Sequence, residues 1–226
     1  MTKIATSLAF ILLIGCNSNN SGKVASVNTD SINRAKAAKD SLINIEQKIA
    51  ISNINFGINE KEFNRERDSF YKKTRVVDWV SENTGKTFYK NVIGNYEFQS
   101  ISGVEGEFFQ GKLYSVLIKG DYIRIEDYDS EVSNQLSAIY KVFENKYGEP
   151  TEVKPIPAIY ETNDNYMYMV RKWEIGNKVI KLFVHDQGTG YYSVDIEVYQ
   201  NDVVRLLELK DKQKKDSTEK AAAKVI

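Results

Sequence analysis

The sequence predicts an α+β protein: two α-β-β-β units with antiparallel sheets, preceded by an export signal, a flexible tether and an N-terminal helix. Three observations carry this. Val132, Leu136, Ile139, Tyr140 and Phe143 recur at helical spacing. Residues 178–185 and 191–200 alternate apolar and polar at strand spacing. Gln110-Gly111 and Gly176-Asn177 sit between β-rich runs as hairpin turns do. With 226 residues, 42% of them apolar, the chain can bury a core without disulfides.

The first fifteen residues have the layout of a cleaved export signal, with Lys3 at the positive end and residues 4–14 apolar apart from Thr6 and Ser7. A membrane-spanning helix needs about 20 apolar residues, and this run stops after about 11. Leu13-Ile14-Gly15-Cys16 resembles the lipobox of bacterial lipoproteins. That resemblance implies cleavage between Gly15 and Cys16 and acylation of the Cys16 sulfur. Cys16 is the only cysteine, so the exported body is expected to hold no disulfide. Each buried methylene contributes about 0.8 kcal/mol, and two acyl chains suffice for stable anchoring. The abundance of Asn, Lys, Ile and Tyr resembles that of Bacteroidota proteins, and residues 17–23 lack the acidic residues that accompany surface export in that group. The expected location is therefore the periplasm-facing outer membrane.

Residues 16–28 are small and polar and read as a tether of roughly 40 Å reach at about 3.3–3.6 Å per residue. A helix is expected over 29–52, with Ile32, Ala35, Leu42, Ile45 and Ile49 on one face. The first unit (53–128) opens with Asn59 as a cap and Glu62 at capping-box spacing. Its helix shows Phe63, Phe70 and Tyr71 to the core and ends near Lys73 or continues through Trp79. Strands follow over 88–100, bent at Gly94-Asn95, and over 107–109 and 113–118. The second unit (129–207) has a helix capped by Asp129 or Ser130 and stopped at Gly148 and Pro150, then strands over 166–175, 178–185 and 191–200. A charged tail (208–226) closes the chain.

Asn55-Phe56-Gly57-Ile58-Asn59-Glu60-Lys61-Glu62-Phe63 resembles the helix start of SmpA-type outer-membrane assembly lipoproteins and of β-lactamase-inhibitor-like domains. Tyr147-Gly148-Glu149-Pro150, followed by a strand with Trp173, is similar to a pattern in uncharacterised lipoproteins of that shape. The resemblance implies a binding or scaffolding module and not catalysis.

The chemistry of the side chains points the same way. Removing Lys3 leaves 30 basic against 31 acidic residues, so no basic face for nucleic acid is expected. His185 is the only histidine. With Asp186 beside it and Tyr166 on the neighbouring strand it forms the one polar grouping that an envelope hydrolase could use. Glu126, Asp127, Asp129 and Glu131 begin like a calcium loop, but Val132 and Ala138 stand at its sixth and twelfth positions, so no metal is expected. No cofactor is expected either.

A five-residue loop over 186–190 would pair His185 with Tyr191, Phe183 with Ser193 and Lys181 with Asp195. Ile180, Leu182, Val184, Tyr192, Val194, Ile196, Val198 and Trp173 then share the buried face. Tyr168, Val170, Phe183, Tyr191 and Tyr199 share the opposite one, a candidate surface for a protein partner, because tyrosine offers large area and a polar tip. The expected activity is that of a lipid-anchored binding or scaffold module contacting another envelope protein. An envelope hydrolase, or an inhibitor or immunity lipoprotein, is the alternative.

Overall fold

Helix α1 (Thr29–Glu46) opens the part of the chain that the computed structural model describes, residues 29–222. The expected signal (1–15), the acylated Cys16 and the tether (16–28) lie outside the described residues, as do residues 223–226. The chain divides into two units after Ala37, so α1 starts in the first and ends in the second. It stops short of the expected residue 52. Strand β1 (Ile49–Ile51) follows and pairs antiparallel with β2 (Ile54–Asn55), burying Ala50 and Ile54. Leu42 and Ile45, expected on a packed face, are 65% and 56% exposed.

Helix α2 (Glu60–Thr74) begins as its sequence specifies. The Asn59 side chain accepts from the Glu62 N–H at 2.9 Å, and the Glu62 carboxylate accepts from the Asn59 N–H at 3.2 Å. Phe63 and Phe70 are buried, and Tyr71 is half-buried with its hydroxyl accepting from the Val104 N–H. The helix takes the earlier of its two expected ends. Strand β3 (Arg75–Val80) follows without a loop and pairs antiparallel with β4 (Thr87–Ile93), which pairs with β5 (Tyr96–Phe98). The single bent strand expected over 88–100 is therefore a hairpin, with Gly94-Asn95 as its turn.

Strands β6 (Val104–Phe109) and β7 (Lys112–Ile118) form the expected hairpin. A short β8 (Ile123–Arg124) and a 3-10 turn (Ile125–Asp127) lead into α3 (Tyr128–Tyr147). Neither Asp129 nor Ser130 caps α3. The helix starts earlier because Tyr128 is drawn into the core, its ring 4.6 Å from that of Tyr192 and its hydroxyl donating to the Pro157 carbonyl. Of the expected stripe Val132, Leu136, Ile139 and Phe143 are buried, and Tyr140 is half-buried. Gly148 ends the helix at φ +79°, a conformation glycine adopts without strain.

The remaining strands are β9 (Glu152–Val153), β10 (Met167–Ile175), β11 (Lys178–Gly188) and β12 (Tyr191–Gln200), and α4 (Asn201–Ala222) closes the described chain. Seven strands make one antiparallel sheet in the order β6-β7-β12-β11-β10-β9, with β8 also on β12. The fold is α+β with antiparallel sheets. The β6–β7 hairpin of the first half completes the sheet of the second, through Ile196↔Ile118 and Val198↔Val116.

The expected core face holds: Trp173, Ile180, Leu182, Val184, Tyr192, Val194, Ile196 and Val198 are all buried against the stripe of α3. Each such large side chain contributes about 1.5–3 kcal/mol by leaving water. The register differs. The β11–β12 loop is Thr189-Gly190, with a bulge between Asp186 and Gly188, so Gly188 pairs with Tyr191. His185 consequently lies opposite Ser193, Phe183 opposite Asp195, and Lys181 opposite Glu197.

Gly120 stands where β5, β7 and β12 converge. It bridges Phe98, its N–H donates to the Asp195 carboxylate at 3.0 Å, and an added Cβ would lie 2.4 Å from the Val194 carbonyl oxygen. Since that obstacle is backbone, Gly120→Ala is expected to destabilise the protein by about 1–3 kcal/mol. Urea unfolding should show a lowered midpoint at unchanged slope; an unchanged midpoint would contradict the close approach.

Candidate interaction surface

The sequence Arg75-Val-Val-Asp-Trp-Val80 is rich in β-branched and aromatic residues, which favour extended backbone. It leaves α2 as a strand because Arg75, whose N–H still donates to the Tyr71 carbonyl, already has extended dihedrals. β3 is terminal in its sheet: β4 pairs with one side, and among the described residues nothing pairs with the other. Every residue of β3 is exposed, Val77, Trp79 and Val80 to 57%, 51% and 53%. A bulge between Val77 and Trp79 sets Asp78 out of the ladder, where it meets Lys90 at 3.4 Å. The Trp79 and Phe88 rings stack with centroids 4.1 Å apart, holding the indole in place.

Beside this edge lies a cleft of about 470 Å³, lined by Tyr71, Lys72, Arg75, Lys86, Thr87, Phe88, Tyr89, Asn91, Ser100 and Ile101. The Arg75 guanidinium sits 3.8 Å from the centre of the Tyr89 ring, and the Lys86 ammonium 5.3 Å from that of Phe88. Three cationic and three aromatic residues are among its walls, and no acidic residue is.

The sheet at the other end of β4 is firmly held. Tyr96 and Phe98 of β5 are buried, and the Tyr96 hydroxyl donates to the Val194 carbonyl of β12 at 2.7 Å. Burial, with the nearby Asp195 and Asp121, keeps that phenol protonated well above its ordinary range.

The five residues expected to share an open face do not. A bulge in β10 between Met169 and Arg171 turns Val170 into the core, where it is fully buried, and Tyr168, opposite Val184, packs against the same core. Phe183 and Tyr199 do lie on the second face but are only 9% and 7% exposed, which leaves Tyr191 alone open to solvent.

The grouping of Tyr166, His185 and Asp186 also separates. Neighbours along a strand point to opposite faces, so Asp186 turns inward, its carboxylate accepting from the Gly188 N–H. Tyr166 meets it only through backbone, its carbonyl accepting from the Asp186 N–H, while its ring packs on Tyr168. The partner of His185 is instead Asp195, with Nδ1 2.8 Å from Oδ2. Asp195 is fully buried, and its Oδ1 accepts from the Ser193 hydroxyl and the Gly120 N–H. Gln187 donates to the same Ser193 hydroxyl. Ser193 thus gives its proton to the carboxylate and not to the imidazole, which is not the arrangement of a nucleophile and its base.

A second buried charge, unforeseen in the sequence, fastens the end of α1. Lys178 is 1% exposed and donates to the Tyr147 hydroxyl at 3.0 Å; that hydroxyl donates to Glu46, which also pairs with Lys146 at 2.9 Å. Gln47 accepts from the Asn177 N–H on the same side. Burial, with Lys146 adding to it, lowers the Lys178 ammonium to about 8, while Glu46 acts in the opposite sense.

Among the described residues no helix is long and apolar enough to cross a membrane, and no group of His, Cys, Asp and Glu is placed to hold a metal ion. Compared with known proteins, the chain matches no family model, and no curated protein or solved structure shows significant similarity to it.

The Lys178 site makes stability depend on pH. Because the folded lysine loses its proton at lower pH than the unfolded one, the unfolded chain holds more protons above about pH 8, and stability rises with pH there. The gain should be on the order of 2 kcal/mol between about pH 7.5 and about pH 9.5. Lys178→Met should flatten that slope in urea titrations; a variant as pH-dependent as the parent would show the charge to be solvated.

Proposed function

We propose that the chain is a lipid-anchored binding module of the cell envelope, facing the periplasm and engaging another protein by accepting an extended segment along β3. The observation that carries this is the open edge itself, with Val76, Val77, Trp79 and Val80 all exposed on a strand that has one neighbour. Soluble proteins usually blunt such edges with charge, bulges or cover, because unpaired N–H and C=O groups recruit any strand that fits. Here the bulge places one carboxylate, Asp78, and Lys90 already neutralises it. Strand addition uses main-chain hydrogen bonds for affinity and flanking side chains for selectivity, which suits a module that acts by contact.

The anchor rests on the lipobox-like Leu13-Ile14-Gly15-Cys16. The resemblance of residues 55–63 to SmpA-type assembly lipoproteins agrees with a scaffolding role. An inhibitor or immunity protein would use the same edge and differ only in its partner.

Two variants separate anchor from edge. Cys16→Ser is expected to move the protein from membranes to the soluble fraction while partner capture persists. Val77→Lys is expected to stay in membranes and unfold within about 0.5 kcal/mol of the parent. It should nonetheless lose the adduct formed by a photo-crosslinker at Trp79. Recovery of only lipid and copies of the chain itself from that crosslinker would refute the proposal.

A further inference from the structure

We infer that the segment accepted by β3 is acidic, and that its carboxylates are read by Lys72, Arg75 and Lys86 in the cleft beside the strand. The inference rests on the strand-accepting reading above and names the chemistry of the partner.

Positive charge gathers in this cleft without a carboxylate to meet it. Lys72, Arg75 and Lys86 line the cleft with no carboxylate among its walls, and none of the three is in a carboxylate ion pair among the described residues. Several half-buried lysines have carboxylate partners, Lys90 with Asp78 and Glu97, Lys119 with Glu105 and Lys172 with Glu174, whereas this cleft gathers three cations with none on its walls. This group of cations lies beside a terminal strand whose residues are all exposed.

Geometry links the two features. Arg75 belongs to both, being the first residue of β3 and a wall of the cleft. Its guanidinium is stacked on Tyr89, which fixes its plane and leaves its edge donors for a carboxylate. Arg75 lies opposite Asn91, and Val77 opposite Tyr89, so these side chains share the sheet face that the cleft occupies. A strand laid along β3 would send every second side chain over that face. Alternating apolar and acidic residues would meet the cations with the latter. A polyanionic glycan could also meet three cations, but it would leave the backbone edge and the valines unused.

The test is binding of short synthetic peptides to the detergent-solubilised full chain, read by fluorescence anisotropy and by amide shifts of β3. One peptide alternates valine with glutamate and its control alternates valine with serine. The glutamate peptide is expected to bind about tenfold more tightly at low salt, with the advantage shrinking as salt is raised. Combining Lys72→Ser, Arg75→Gln and Lys86→Ser should erase that advantage and leave the serine peptide's affinity unchanged. Equal affinities, both with β3 shifts, would overturn the acidic preference and keep the strand-accepting reading. Absence of β3 shifts with either peptide would overturn both. Binding of the glutamate peptide without β3 shifts, displaced by dextran sulfate, would reveal an anion site independent of the strand and overturn the inference.

Discussion

Strand β12 is the member to which the rest of the fold is fastened. It has β11 along one edge and β7 and β8 along the other, so its backbone is paired on both sides, and its side chains Tyr192, Val194, Ile196 and Val198 are buried. Its Val194 carbonyl accepts from the Tyr96 hydroxyl, its Asp195 carboxylate accepts from the Gly120 N–H, and Gly120 bridges Phe98. Through these contacts the small sheet is fixed at β5. A three-stranded sheet anchored on one side has its free edge on the other, and here that edge is β3. The candidate surface is thus a consequence of where the core ends.

The same logic explains the buried polar groups. A carboxylate as deep as Asp195 is tolerable only with its lone pairs satisfied, and His185, Ser193 and Gly120 supply the donors. No described buried side-chain nitrogen or oxygen lacks a partner. The histidine that sequence chemistry marks as the one candidate base is therefore spent on holding two strands and a glycine corner together. Lys178 plays a comparable part for the end of α1, at the cost of a depressed proton affinity.

Much of the fold was legible in local pattern. The stripe of α3, the Asn59–Glu62 capping box and the alternation of β11 and β12 are short-range signals, and burial followed them. Register was less so, because a single bulge moves every later residue by one place and nothing in Gln187 or Val170 marks it. The expected partner face failed for that reason at Val170 and Tyr168. The surface that did emerge was hidden by a different ambiguity: Thr74-Arg75 carries no glycine or proline to end α2, so the Val-Val-Asp-Trp-Val run could be taken for a helical continuation. Its β-branched composition was the available signal. The uncompensated cations could not have been found at all from spacing, since Lys72, Arg75 and Lys86 converge only once β3 folds back on β4.

Native-state hydrogen exchange resolved to single amides tests the central claim most directly, because it reads pairing strand by strand. Amides of β12 should exchange only through global unfolding, while those of β3 that face away from β4 should exchange orders of magnitude faster. Protection of the outward β3 amides to the level of β12 would mean that the edge is already occupied, and would contradict the account.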